Sequence, residues 1–360
     1  MLIFHIFDPH IRTPRQGVGL QVVTPKGTVV TNCSDVSSFR ADSHSLDLRN
    51  FFPSGDENKD FFRLSEQRAS GRATSTNGER LSAVFDFDIL PTVGWGETLL
   101  ADTETTSSSS SSEQFSTAGW LSAFPVFEPH YQVLISKGTT MGSLTLKEEH
   151  DEGSSEFAHY DLDGATMYLE KNWGRSFPSR WWWIQANTFV ENKDLSITST
   201  AARRQLPFLR SDSNEEEVGL VGVHWNGKFF PFPVMNWEVS WGSWKVYGNY
   251  GKYKVELVGR CGKPGIPVLC PTSKGMEAIA WETFDGTLDL SLYENDQLIL
   301  KDRSCEACLE VGGLPWSIKA WKGESAMKEP IKSLVMDETR ERQFSKLLQV
   351  FSAFVEIPGL

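Results

Sequence analysis

The chain has 360 residues and a formal charge of −12 at pH 7, from 35 Lys plus Arg against 47 Asp plus Glu. That balance argues against a nucleic-acid partner, because neutralising phosphates needs a basic face. The length suffices for two domains or one large one, with no external staple required.

In chain order, the apolar run Met1–Phe7 is too short to span a membrane and lacks the charged leader and cleavage site of a signal peptide. The chain is punctuated by 29 Gly and 17 Pro, and the short runs between them are rich in Val, Ile, Thr, Phe, Trp and Tyr. That pattern predicts an all-β fold. Asp102–Ser116, with its serine run, and Asp151–Glu156 are expected to be surface loops, because neither carries enough apolar surface to offset ordering entropy.

Two hairpins are legible further on. Gly219–Trp225 leads into Asn226-Gly227 and Lys228–Phe232, and Asn-Gly suits a two-residue turn with positive φ at both positions. Thr287–Tyr293 turns at Glu294–Asp296 and returns through Gln297–Leu300, with Leu288, Leu290 and Leu292 on one face and Asp289 and Ser291 on the other. Only the C-terminus has helical period: Phe344, Leu347, Leu348, Phe351, Phe354 and Val355 form one stripe, which could pack on its own domain or lie on a lipid surface. The five cysteines are an odd number, and Cys305-Glu-Ala-Cys308 is a lone C-x-x-C with no second pair. It reads as two small residues near a strand more readily than as a zinc or redox site.

The most informative segment is Tyr168–Pro178 followed by Ser179–Phe189. If the second half is a strand, alternation puts Trp181, Trp183, Gln185 and Asn187 on one face and Trp182, Ile184, Ala186 and Thr188 on the other. The second set suits a core. The first pairs two indoles with two neutral amides, which is how a ligand pocket is composed, although amides also satisfy backbone at barrel corners.

At these residues the chain resembles the tocopherol cyclase family. The likeness rests on Glu170-Lys-Asn-Trp-Gly174 with Phe177-Pro178, and on Arg180-Trp-Trp-Trp183 with Gln185 and Asn187. It is extended by Gly94-Trp-Gly96, Ser116–Trp120, Ala123–His130, Gln205-Leu-Pro207, Val223-His224, Ala307–Gly313 and Trp321-Lys-Gly323, and more weakly by Gly17-Val-Gly19 and Pro358-Gly-Leu360. The family's opening Phe-Glu-Gly-Trp-Tyr-Phe motif does not occur, Arg175-Ser176 stands where glycines are usual, and the serine run is an insertion.

The resemblance implies two lipocalin-like antiparallel β-barrel halves, residues 1–175 and 176–330, followed by a helical tail at 331–360. It implies cofactor-free closure of the chromanol ring of a prenylated benzoquinol, in a plastid; the C-terminal stripe leaves peripheral association with membranes or lipid droplets open as the alternative to packing on its own domain. A non-catalytic carrier of prenylquinols or carotenoids and a carotenoid-hydratase-like enzyme remain open beside it.

Such a cyclisation needs an acid that stays protonated near neutral pH, a dry pocket, and π faces near the developing cation. No metal or nucleotide is called for, and no phosphate-cradling loop, dinucleotide fingerprint or H-E-x-x-H occurs. Glu170 is the first candidate acid, with Asn172 to orient it; a salt bridge to Lys171 or Arg180 is its alternative fate. Glu128 and His130 are the second acid and base, and His159, Asp161 and Asp163 are weaker candidates in an expected polar loop. Trp173, Trp181 and Trp183 could stabilise the cation, while Gln185 and Asn187 could hold the quinol hydroxyls.

Overall fold

The computed structural model describes residues 1–8, 10, 16–52, 60–76, 80–96, 117, 129–149, 154–174, 177–205, 215–262, 264–313, 316 and 320–325. Among these every element is a strand, joined in antiparallel ladders into three sheets. The expected serine-rich loop at 102–116, Glu128, and the helical stripe at 344–355 lie outside the described residues.

The first sheet is β1 (Leu2–Phe7), β2 (Gly17–Thr24) and β3 (Gly27–Cys33). The second runs from β4 (Arg40–Ala41) through β5 (Asp47–Phe51), β6 (Phe61–Ser65), β7 (Arg68–Thr74) and β8 (Leu81–Val93) to the long β9 (His130–Glu149). There β9 pairs with both β10 (Ser155–Asp161) and β11 (Thr166–Trp173). These two sheets enclose one core that includes Val18, Leu20, Val22, Phe62 and Phe85.

The third sheet begins at β12 (Arg180–Ala186) and continues with β13 (Ser196–Gln205), β14 (Glu215–Trp225), β15 (Lys228–Phe232), β16 (Val234–Ser240), β17 (Ser243–Tyr250) and β18 (Tyr253–Arg260). It is completed by β19 (Ile266–Thr272), β20 (Gly275–Glu294), β21 (Gln297–Gly313) and β22 (Trp321–Glu324). The strand order is β15-β14-β13-β12-β21-β20-β18-β17-β16-β22, with β19 attached to β20.

The fold class is all-β, as read from the sequence, and among the described residues the expected lipocalin-like barrel halves are split, without a fully closed backbone ladder. In the third sheet β22 curls round to β14, where the Trp321 indole N–H donates to Glu217 Oε1 at 2.9 Å, a side-chain clasp where a closed barrel would have a backbone ladder.

Sequence pattern explains the pairing. Asn226 and Gly227 have φ of 50° and 67°, so Trp225 and Lys228 face each other across a two-residue turn. The second hairpin is tighter than expected: Glu294 pairs with Gln297, and Asn295 and Asp296 alone make the turn, with φ of 49° and 64°. Leu288, Leu290 and Leu292 are fully buried in the third sheet's core. Asp289 on the opposite face is bonded by Arg260 at 2.9 Å and Arg303 at 2.6 Å. Burial of each leucine contributes about 2 kcal/mol.

The expected loop at 151–156 is shorter, because Ser155 and Glu156 already pair with Glu149 and Glu148 of β9. Backbone hydrogen bonding to a long neighbour orders this edge despite its polar side chains. His159 and Asp161 therefore sit on β10 and not in a loop, and only Asp163 is in the turn, accepting from the Gly142 N–H at 2.7 Å. Cys305 and Cys308 are free thiols on β21.

Candidate active site

β12 presents the two faces its alternation requires. Trp182 and Ile184 have no exposed surface and belong to the core of the third sheet. Trp181, Trp183 and Gln185 point the other way, and register extends that face across the sheet. Trp181 pairs with Gly312, Trp183 with Glu310 and Gln185 with Cys308; beyond them Gly312 pairs with Ala280 and Glu310 with Glu282.

In an isolated sheet this face would be wet. Here the first half covers it. Gln21 of β2, fully buried, donates its amide to the Leu269 carbonyl at 2.9 Å and accepts the Leu269 N–H at 3.0 Å, completing a backbone pair with its side chain. At another point of the seam His224 Nε2 accepts the Gly96 N–H at 3.2 Å, while its Nδ1 lies 3.1 Å from the Ser136 hydroxyl. Desolvation holds His224 neutral by lowering its pKa to about 4, and a neutral ring that accepts at Nε2 carries its hydrogen at Nδ1.

Glu170 projects from β11 into this covered space. The hydroxyls of Tyr131 and Tyr168 each lie 2.8 Å from Glu170 Oε2 and 2.8 Å from each other. Both phenols are placed to donate to this one carboxyl oxygen. The Asn172 amide donates to Oε1 at 3.1 Å, and the Trp183 indole N–H donates to the Tyr131 oxygen at 3.3 Å.

Burial raises the Glu170 pKa against the opposing effect of these donors, which favour the charged form. Burial, then the Glu170 charge, pushes both phenols well above 10, so they remain neutral donors. Among the described residues no cation pairs with Glu170. Lys171 lies over the Trp173 ring at 5.0 Å and Arg180 over the Trp316 ring at 4.3 Å.

The remaining expected site residues separate into two groups. Trp183 joins Glu170 through Tyr131 and packs against Tyr168 with ring centroids 5.6 Å apart. Trp181 donates its indole N–H to Glu310 Oε1 at 2.5 Å, and Gln185 is 5% exposed with no partner for its Nε2 among the described residues. Asn187 is committed to backbone: its amide donates to the Met167 carbonyl at 2.9 Å. That bond, with the turn after it, ends β12 at Ala186, where the sequence suggested a strand to 189. His130 and Trp173 are register partners whose rings stack at 5.0 Å and 14°, on the opposite face of the β9–β11 ladder from Glu170.

Three polar residues of this space carry no local signal in the sequence: Tyr131, Glu282 and Glu310. Tyr131, Tyr168, Glu170, Cys308 and Glu310 each keep some surface open although their polar ends are enclosed by protein atoms. Aromatic rings beside three carboxyls whose pKa values burial raises, Glu170, Glu282 and Glu310, set between the second and third sheets, define a class of site suited to proton transfer onto an apolar molecule.

Comparison with known proteins gives the particular family. The sequence pattern described as Tocopherol cyclase-like matches residues 1–313, and the chain belongs to that family. It is 29% identical to "Tocopherol cyclase, chloroplastic" of Zea mays over 365 residues, covering 91% of this chain and 72% of the maize protein. It is 32% identical to "Probable tocopherol cyclase, chloroplastic" of Oryza sativa subsp. japonica over 267 residues, covering 71% of this chain and 52% of the rice protein, about half its length. The crystal structure of CghA aligns over 84% of this chain and 81% of its own, with 7% identity and a TM-score of 0.42.

Proposed function

We propose that the chain is a cyclase that closes the chromanol ring of a phytyl-benzoquinol in plastids, with Glu170 as the acid. Family membership supports the reaction class, and the chloroplastic relatives support the compartment. The observation that carries the role of Glu170 is a carboxyl whose pKa burial raises, with no cation paired to it among the described residues and with Tyr131, Tyr168 and Asn172 placed to donate to the carboxylate left after proton loss.

The Glu170 O–H bond breaks as its proton bonds to the less substituted alkene carbon, leaving positive charge on the tertiary carbon. Tyr131, Tyr168 and Asn172 donate to the carboxylate that remains, so the acid's charge is met without reorganisation. Trp181 and Trp183, once desolvated against the substrate, stabilise the cation by about 1–2 kcal/mol each. The phenolic oxygen then bonds to the tertiary carbon and loses its proton. Gln185, with a free amide donor on the same face, holds a quinol oxygen.

Incubation of the purified protein with a phytyl-benzoquinol, followed by mass-resolved chromatography, tests this reading. A chromanol of unchanged mass is expected. A tertiary alcohol, heavier by one water, would assign the chain to alkene hydration, and bound but unchanged quinol would make it a carrier.

A further inference from the structure

Ring closure releases a phenolic proton, and Glu170 cannot receive it at the moment it is delivering its own. The third sheet carries a second set of carboxyls on the face turned toward Glu170. Glu282 of β20 and Glu310 of β21 are direct register partners, so their side chains leave the sheet side by side on the face that carries Trp181 and Trp183. Glu282 is 1% exposed and its Oε2 has no hydrogen-bond partner among the described residues, while Glu310 keeps part of its surface open. No lysine or arginine pairs with either among the described residues. Gln185, 5% exposed, leaves an unpartnered amide donor on this face, one position along β12 from the register partner of Glu310 on the same side.

Two buried carboxyls this close do not both ionise. The deeper, Glu282, is pushed well above the carboxylate range by burial and then by Glu310, so it is the member of the pair that stays protonated. Glu310 is raised by burial to about 7, and the Trp181 indole N–H favours its charged form, so near neutral pH it is the open acceptor of the pair. Other groups share this environment. Glu170 adds negative charge from β11, Cys308 and Cys270 are thiols held neutral by burial, Tyr131 and Tyr168 are neutral phenols, and the Met1 amine reaches Glu282 electrostatically while burial lowers its own pKa.

Resting on the cyclase reading above, we propose that Glu310, backed by Glu282, is the base of the reaction and removes the phenolic proton as the oxygen bonds to the tertiary carbon. The balance closes. One proton passes from Glu170 to the alkene carbon, one passes from the phenol to Glu310, the C–O bond forms, and the pair returns its extra proton to Glu170. Nothing is consumed. Trp183 stands between the two sites, bonded to Tyr131 beside Glu170 and in register with Glu310, so a substrate on this indole lies within the span of both carboxyl systems.

The test uses phytyl-benzoquinol with the wild type, Glu310→Gln and Glu170→Gln. Turnover of Glu310→Gln should fall about a hundredfold with KM within a few-fold of wild type. The residual activities should slope in opposite directions with pH: that of Glu170→Gln rises as Glu310 ionises, and that of Glu310→Gln falls as Glu170 ionises. Glu282→Gln, which replaces a neutral carboxyl by a neutral amide, should retain most of the turnover with the Glu310 limb little moved. Difference infrared spectra, independent of activity, should show a protonated carboxyl at neutral pH that disappears in Glu282→Gln.

Glu310→Gln with wild-type turnover and pH profile would overturn the base assignment while the cyclase reading stands. Loss of quinol binding in Glu310→Gln would overturn it as well, assigning the residue to structure. A wild type that binds quinol and forms no chromanol would remove both.

Discussion

Trp183 and Glu310 are direct partners across β12 and β21, and the Trp183 indole N–H also reaches Tyr131, the phenol that donates to Glu170. One aromatic side chain thus ties together carboxyls that come from different halves of the molecule. The site exists only where the two halves meet, so its chemistry depends on the seam as much as on the residues themselves.

The phenols next to Glu170 set its proton affinity. Removing either donor, in Tyr131→Phe or Tyr168→Phe, takes away an interaction that favours the charged carboxylate, so the Glu170 pKa should rise further. The pH above which activity falls should move upward in both variants, and turnover should drop about tenfold through loss of support for the developing carboxylate. A pH–rate profile of each variant checks this; a limb that stays in place or moves down contradicts it.

The seam can be tested at Gln21. Gln21→Leu leaves the half-buried Leu269 N–H and C=O without the side chain that pairs with them. The expected cost is about 1–2 kcal/mol, the loss of two partly buried hydrogen bonds. Chemical denaturation measures it, and a loss below about 0.5 kcal/mol would show that Gln21 does not hold the halves together.

The carboxyl pair should leave a signature in stability. Burial raises the Glu310 pKa to about 7 in the folded chain from an ordinary value of 4.5, so between those values the folded chain binds more protons than the unfolded chain. This contribution is complete below the unfolded pKa and is lost as pH rises through the folded one. Stability should therefore decline by about 2 kcal/mol from this group between roughly pH 5 and 8, a figure reduced for its partial exposure. Urea unfolding at the two pH values should show that decline in the wild type and a flatter dependence in Glu282→Gln/Glu310→Gln; equal slopes would contradict it.

The residues that were legible in the sequence are those whose signal is local. Asn226-Gly227 announces its own turn, and Leu288, Leu290 and Leu292 announce a buried face. The two faces of β12 followed from alternation alone. Alternation cannot say whether the second face is wet, however. Glu310 stands between Leu309 and Val311, both buried in the core, and Glu282 next to the exposed Trp281, so each reads as a solvent-facing position. What makes them buried is the first half of the molecule folding over that face, through contacts such as Gln21 to Leu269 that span 248 residues. Tyr131 escapes notice for the same reason, since only the β9–β11 register brings it to Glu170, whereas Tyr168 stands two residues before Glu170 on the same strand.

The most direct test of the account is the turnover of Glu170→Gln on phytyl-benzoquinol, measured beside its melting temperature and its quinol affinity. The substitution keeps the shape of the side chain and its hydrogen bonds from Tyr131 and Tyr168 but removes the deliverable proton. Chromanol formation should fall by about a hundredfold or more while binding persists and the melting temperature barely moves. A Glu170→Gln protein that melts normally and cyclises at the wild-type rate would contradict the account.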